Sequence, residues 1–254
     1  MLGINLRPIL IPGHVFLKND QRNIETTLDG KNISDENIAG LLHLDFAKTK
    51  FTPASRDQFI SALYSNACLI AANKGKAQEG LKYCDKAIKL NAGNGEAFIN
   101  KSFIELSIGD FESSLKNAQQ GVKLYPQLAH AYFTLGNTYR KFKKINEAKE
   151  AFIKAISIRS DVYRFHYNLG NVYLEQNQNS KAIESFSEAI RLNPEYAEAY
   201  TNRAIAYTMT EKYLPAIKDY DFLLKKNPQN FNILFEKRSR LFYAQEVFPC
   251  FERV

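Results

Sequence analysis

The stretch Ala129-His130-Ala131-Tyr132-Phe133-Thr134-Leu135-Gly136 returns in altered form as Tyr163-Arg164-Phe165-His166-Tyr167-Asn168-Leu169-Gly170. It returns again as Ala197-Glu198-Ala199-Tyr200-Thr201-Asn202-Arg203-Ala204. The starts at 129, 163 and 197 are 34 residues apart, and other landmarks keep the same step: Tyr139, Tyr173 and Tyr207; Ala148, Ala182 and Ala216; Phe152, Phe186 and Tyr220; Ala155, Ala189 and Leu223. A period of that length marks stacked supersecondary units. Within each unit the apolar residues fall at helical spacing, in two stripes such as Leu135/Tyr139 and Ala148/Phe152/Ala155. Small residues recur at Gly136, Gly170 and Ala204, where two helices must cross closely and a larger side chain would overpack. Asn193-Pro194 and Asn227-Pro228 end the second helix, because proline disfavours helix in the residue before it. One such unit cannot bury its apolar face alone; its neighbours do that.

These landmarks resemble the tetratricopeptide repeat, which implies two antiparallel helices per unit and an all-α solenoid winding into a right-handed superhelix. Carried backward and forward in the same register, the repeats are expected at 61–94, 95–128, 129–162, 163–196 and 197–230, with a partial or capping helix at 231–246. The array thus occupies 55–254, and a short mixed β/α segment, 1–54, precedes it. The first two repeats diverge: Lys101 and Glu105 stand where later repeats carry Leu135 and Tyr139.

Composition is that of a globular chain, with 45% hydrophobic and 24% charged residues. No apolar run approaches the roughly 20 residues that span a bilayer, and no secretory leader is visible. Cys68, Cys84 and Cys250 are unevenly spaced without a CxxC. That pattern argues for buried thiols in a reducing, cytoplasmic setting and against a disulfide framework or zinc module. His43, His130 and His166 lack metal-ligand spacing, so neither metal nor cofactor is expected. The net charge of +7 is densest at Arg140-Lys141-Phe142-Lys143-Lys144, while the aromatics sit at repeat-core places. Nucleic acid, which wants basic and stacking residues on one surface, is not an expected partner.

In the N-terminal segment, Ile9-Leu10-Ile11, His14 to Lys18 and Gln21 to Thr27 read as short strands, and Ser34 to Leu44 as a short helix capped by Ser34. A turn at Asn19-Asp20 would place His14 opposite Glu25, with Cβ atoms about 5 Å apart. Pro12-Gly13-His14-Val15-Phe16 followed by Asn23-Ile24-Glu25-Thr26-Thr27 and Asp29-Gly30 resembles the later part of transglutaminase-like cysteine hydrolase cores. The resemblance makes His14 the base and Glu25 its orienter, with Asp29 as the alternative. No cysteine precedes His14, so the nucleophile is missing and the pair reads as a remnant of an enzyme rather than an enzyme.

The sixth residue of successive first helices reads Asn66, Asn100, Thr134, Asn168 and Asn202, with Asn137 and Asn171 three residues beyond two of them. Asparagine is a mediocre helix former, and its amide can bracket a peptide bond with one donor and one acceptor. The ladder resembles that of the O-GlcNAc transferase repeat superhelix, which implies an extended peptide held in a concave groove. Thr134 interrupts it. The alternative is that these amides bond the neighbouring repeat. The carboxylate clamp of chaperone-tail binders is not present: the clamp places read Phe133, Thr134, Arg164, Glu198 and Asn202. The last helix carries Phe231, Leu234, Phe235, Leu241 and Phe242, with Phe248 and Phe251 beyond. It reads as a fold-back cap, as a face for a partner or a second copy through Phe231, Phe235 and Phe242, or as a cut reading frame. Together the residues point to a non-catalytic protein-interaction scaffold, with the hydrolase remnant as the alternative.

Overall fold

The computed structural model describes the backbone of residues 7–11, 14–19, 22–27 and 53–247, and side chains from 57 to 243. Three strands come first, β1 (Arg7–Ile11), β2 (His14–Asn19) and β3 (Arg22–Thr27), paired antiparallel in the order β1-β2-β3. The register corrects the expected pairing. Asn19 pairs with Arg22, not Lys18 with Gln21, so the expected turn at Asn19-Asp20 does not set the register. Relative to the expectation, the two strands are displaced by two residues. His14 therefore faces Thr27, and Glu25 faces Phe16. The helix expected over 34–44 lies outside the described residues.

Among the described residues eleven helices follow: α1 (Pro53–Asn73), α2 (Ala77–Leu90), α3 (Gly95–Ile108), α4 (Phe111–Leu124), α5 (Ala129–Lys141), α6 (Ile145–Ile158), α7 (Tyr163–Glu175), α8 (Asn179–Leu192), α9 (Ala197–Met209), α10 (Tyr213–Lys226) and α11 (Phe231–Val247). The starts of α3, α5, α7, α9 and α11 keep the 34-residue step. As the Asn-Pro pairs require, α8 and α10 stop at Leu192 and Lys226, and Asn193 and Asn227 leave the helical conformation (φ −139° and −138°).

A further periodic feature lies in the backbone. The fifteenth residue of every repeat, Gly75, Gly109, Lys143, Asn177 and Glu211, has a positive φ, between 55° and 85°. The next residue's N–H reaches back to the carbonyl five residues earlier in all five turns, as in Lys144 N–H to Tyr139 O at 3.0 Å and Gln178 N–H to Tyr173 O at 2.8 Å. This is a Schellman closure, which satisfies the orphan carbonyls of the first helix and reverses the chain. Glycine takes that conformation freely, whereas Lys143 and Glu211 take it against the steric preference of an L residue.

The chain divides into two compact units, Met1–Thr138 and Tyr139–Val254. In the first, Cys68, Cys84 and Ile104 form one core cluster, each fully buried. Cys68 and Cys84 are joined by a disulfide with Cα atoms 5.3 Å apart, which corrects the expectation of free thiols. They are the eighth and twenty-fourth residues of the repeat, the places where its two helices cross, so a 16-residue separation brings them within bridging range. The cysteine argument for a reducing compartment falls with it. Beside this cluster lies a chain of buried hydroxyls. Ser102 Oγ and Ser114 Oγ are 3.0 Å apart, Ser114 Oγ and Thr138 Oγ1 are 3.0 Å apart, and Thr138 donates to the Thr134 carbonyl at 3.0 Å. Ser61 donates to the Ala87 carbonyl and accepts from Asn94, whose own Oδ1 caps α3 at Ala97 N–H.

The second unit is built on rings. Ala182, Phe186 and Ala206 make one cluster, Ala189, Ile190 and Ala199 a second, and Ala204, Ala216, Tyr220 and Leu223 a third. The first two draw residues from α8 and α9, the nearest-neighbour burial that holds a stacked array together. Gly170 is required by close approach: a Cβ there would lie 2.6 Å from the Phe186 ring. One buried ion pair interrupts the aromatics. Asp219, 4% exposed, accepts from Arg203 at 2.6 and 2.9 Å, and Arg203 also donates to Ser187 at 3.0 Å. Burial pushes the Asp219 carboxyl up while the guanidinium beside it pulls the other way. No helix among the described residues is long and apolar enough to cross a membrane.

Candidate functional site

The first helices of the second unit, α7 and α9, present a polar track. Asn202 on α9 donates from Nδ2 to Asn171 Oδ1 at 2.7 Å and to Tyr167 Oη at 3.2 Å, both on α7. Asn168 on α7 donates to the Arg164 carbonyl one turn earlier and accepts from Arg140 Nη1 at 3.3 Å. Arg140 continues to Glu175 Oε1 through Nε and Nη2. Asn168, Asn171, Asn202, Tyr167 and Arg140 are half-buried, and Glu175 is exposed. The track is thus held in place by its own hydrogen bonds while keeping a solvent-facing side.

In this unit the helices bring together three of the expected residues, Asn168, Asn171 and Asn202, although Asn168 joins the track through Arg140 rather than by a direct bond to Asn202. The residues expected in the first unit differ. Asn66 is 8% exposed, with its Nδ2 buried and without a hydrogen bond, and Thr134 is 5% exposed. Asn100 donates to the Ser65 carbonyl at 3.0 Å and to Ser65 Oγ at 3.1 Å. Asn137 is half-buried. Packing therefore absorbs Asn66 and Thr134, and the bond to the neighbouring first helix ties Asn100.

Arg140, Tyr167 and Glu175 are members of the track that the asparagine spacing did not reveal. A signal for them exists. Asn100 to Ser65, Asn202 to Tyr167 and Arg140 to Glu175 are all pairs separated by 35 residues, one repeat plus one. Residues at that offset lie side by side on neighbouring first helices, so a polar pair 35 apart marks a bridge between repeats.

The second unit also holds Arg203, whose guanidinium carbon lies 5.5 Å from the Tyr200 ring centre and 5.7 Å from that of Tyr207. With Asp219 of α10 and Ser187 of α8 occupying its donors, Arg203 is tied to the second helices on either side of it rather than to the track. In the first unit Glu96, at the start of α3, is pushed up to about 7 by burial, and burial also raises Glu105, whose carboxylate accepts twice from Asn117.

A sequence profile described as TPR repeat matches residues 136–177 and 170–210. Small glutamine-rich tetratricopeptide repeat-containing protein 2 of Mycosarcoma maydis is 30% identical over 93 residues, 37% of this chain; the chain spans about a quarter (26%) of that protein's length. Among solved structures, YrrB, described as a TPR protein with an unusual peptide-binding site, superposes with a TM-score of 0.57 at 15% identity, over 69% of this chain and 90% of YrrB. PilF of Pseudomonas aeruginosa gives 0.64 at 17% identity, over 78% of this chain and 95% of that one. MamA of Desulfovibrio magneticus RS-1 gives 0.59 at 19% identity, over 67% and 97%. Residues 136–210 carry tetratricopeptide repeats, and the helices form the all-helical array of that fold.

Proposed function

We propose that the chain is a non-catalytic protein-interaction scaffold, and that the first-helix face of the second unit holds an extended segment of a protein partner. The observation that carries this reading is the amide pair Asn171 and Asn202. Their mutual bond at 2.7 Å fixes both side chains, yet Asn171 Nδ2 and Asn202 Oδ1 take no hydrogen bond from the described residues. One donor and one acceptor, pre-oriented side by side, match the C=O and N–H of a peptide bond. Holding them in advance removes part of the ordering cost of binding. Arg140 and Glu175 set opposite charges beside the same track, which favours a segment of mixed charge over a purely acidic or basic one. That YrrB is described as having a peptide-binding site supports the reading by likeness of fold.

The test uses the whole chain and a variant carrying Asn171→Ala and Asn202→Ala, confirmed to have equal helicity and melting temperature. Partners captured by the native chain are identified, and amide hydrogen exchange is then measured on the purified complex. The expected result is loss of capture in the variant and slowed exchange along α7 and α9. Equal capture by both chains, or protection confined to other helices, rejects the groove.

A further inference from the structure

Two packing demands meet at one peptide bond of the first unit. The first falls on Asn94, the residue before α3. Its Oδ1 accepts from Ala97 N–H at 3.1 Å and its Nδ2 donates to Ser61 Oγ on α1 at 2.8 Å. One side chain thus caps a helix and ties it to another. At the same place the three following repeats carry Leu128, Val162 and Tyr196, which have no side-chain amide. The second demand falls on Gly95, where a Cβ would lie 2.9 Å from the Tyr125 ring and 3.1 Å from Leu124 Cβ. Together they leave Asn94-Gly95, the single Asn-Gly step in the chain. That dipeptide carries chemistry of its own. Glycine has no Cβ, so its backbone nitrogen is the least shielded nucleophile that a chain can offer to the side-chain amide of the asparagine before it.

We infer that Asn94 is a self-modification site, at which the Gly95 nitrogen converts the asparagine to aspartate or isoaspartate, and that the first hairpin holds this reaction shut. The Gly95 nitrogen loses its proton to base and bonds to Asn94 Cγ. The Cγ–Nδ2 bond breaks, ammonia leaves, and a cyclic imide closes. Water then adds to one of the two imide carbonyls and opens the ring, to aspartate or to isoaspartate; water is the one other reactant. In the folded chain every participant is engaged elsewhere. Asn94 is 5% exposed with its amide held at both ends, and Gly95 N–H donates to the Gly93 carbonyl at 3.0 Å. Ser61, fully buried, in turn donates to the Ala87 carbonyl on α2 at 2.7 Å, so the amide comes free when α1 parts from α2 and α3. The Cys68–Cys84 bond closes the same seam. Cys68 lies about two helical turns beyond Ser61 on α1, and Cys84 lies about one turn before Ala87 on α2. The two products differ in consequence. Aspartate keeps an acceptor for Ala97 N–H but has no donor for Ser61, so α3 stays capped and the tie to α1 is lost. Isoaspartate adds a methylene to the backbone at the cap, and both bonds go.

The test incubates the whole chain in mildly alkaline buffer. Proteolytic peptides containing residues 94 and 95 are weighed for amide-to-acid conversion, and isoaspartate is counted by labelling with an isoaspartyl methyltransferase. In urea, with the disulfide reduced, Asn94 is expected to convert before every other asparagine. In the native chain its rate should be at least about tenfold lower, the ratio for a local opening of about 1.4 kcal/mol. Ser61→Ala should raise the native rate about fivefold, the factor set by one buried hydrogen bond of about 1 kcal/mol. Reducing Cys68–Cys84 without denaturant should raise it as well, which keeps the gate testable if the Ser61 variant does not fold. An equal rate in the native and unfolded chain, or a native rate that neither reduction nor Ser61→Ala changes, overturns the gate. Another asparagine converting first in urea overturns the site.

Discussion

Where first and second helices cross in the second unit, the space is filled by an aromatic ring: Phe186 against Gly170, and Tyr220 in one cluster with Ala204. In the first unit the same crossing holds a disulfide between Cys68 and Cys84 and, one repeat on, the hydroxyls of Ser102 and Ser114 beside Ala118. The backbone path is the same in both, down to the Schellman closure of each turn. What the crossing conserves along this chain is therefore volume: one side small where the other is large, or both of middling size. The chemistry that fills the volume is free to vary. The first unit uses a covalent bond and neutral polar contacts, and the second uses apolar area and one buried ion pair.

That contrast is sharpest at its aromatic end. Removing the ring with Phe186→Ala, at a fully buried side chain, is expected to destabilise the second unit by about 3–5 kcal/mol in urea unfolding. A loss under about 1 kcal/mol would break the comparison, because Gly170 would then be small for no packing reason. The next effect belongs to the first unit. Reducing Cys68–Cys84, or replacing both residues by serine, releases a loop of about 15 residues and should cost about 3 kcal/mol. Amide exchange should accelerate along α1 and α2 and stay unchanged along α8 to α10; uniform acceleration would show that the two units do not respond separately.

A pH titration gives a smaller effect. Glu96 is pushed up from 4.5 to about 7 by burial, so the folded state holds its proton more tightly than the unfolded state. Between those values stability must fall as pH rises, with the contribution fully present below about 4.5 and lost by about 7. Glu96→Gln should flatten that slope and leave the chain about 2 kcal/mol more stable at pH 8, a figure reduced from the full shift because the side chain is only partly buried. A slope that survives the substitution would move its source elsewhere, Glu105 first. The smallest effect compares the turns. Lys143→Gly relieves the left-handed strain that Gly75 and Gly109 avoid, and should stabilise by about 1 kcal/mol. An unchanged melting temperature would mean that the Schellman hydrogen bonds already offset the strain.

The hairpin array was legible because its signals are local: apolar stripes, small residues at crossings, and Asn-Pro stops, all repeated in step. The features that escaped depend on where two helices touch. Nothing in the spacing of Cys68 and Cys84 looks like a disulfide until a first and a second helix are laid across each other. Arg140 and Glu175 look like separate surface charges until neighbouring first helices stand side by side. The asparagine spacing was half informative. It located the track of Asn168, Asn171 and Asn202, but the same spacing also selected Asn66, whose place is set by burial. The strand register went astray by a single choice of turn, because an alternating strand tolerates either registration equally well by pattern.

The turn built at the fifteenth residue of each complete repeat gives the array a way to lengthen. Tandem duplication lengthens such proteins by copying one hairpin, and a copy inserted anywhere before Phe231 finds a small residue at each crossing and a turn ready to reverse. A 34-residue copy of 163–196 placed before Ala197 should therefore fold as one more hairpin and displace the later helices by one whole repeat.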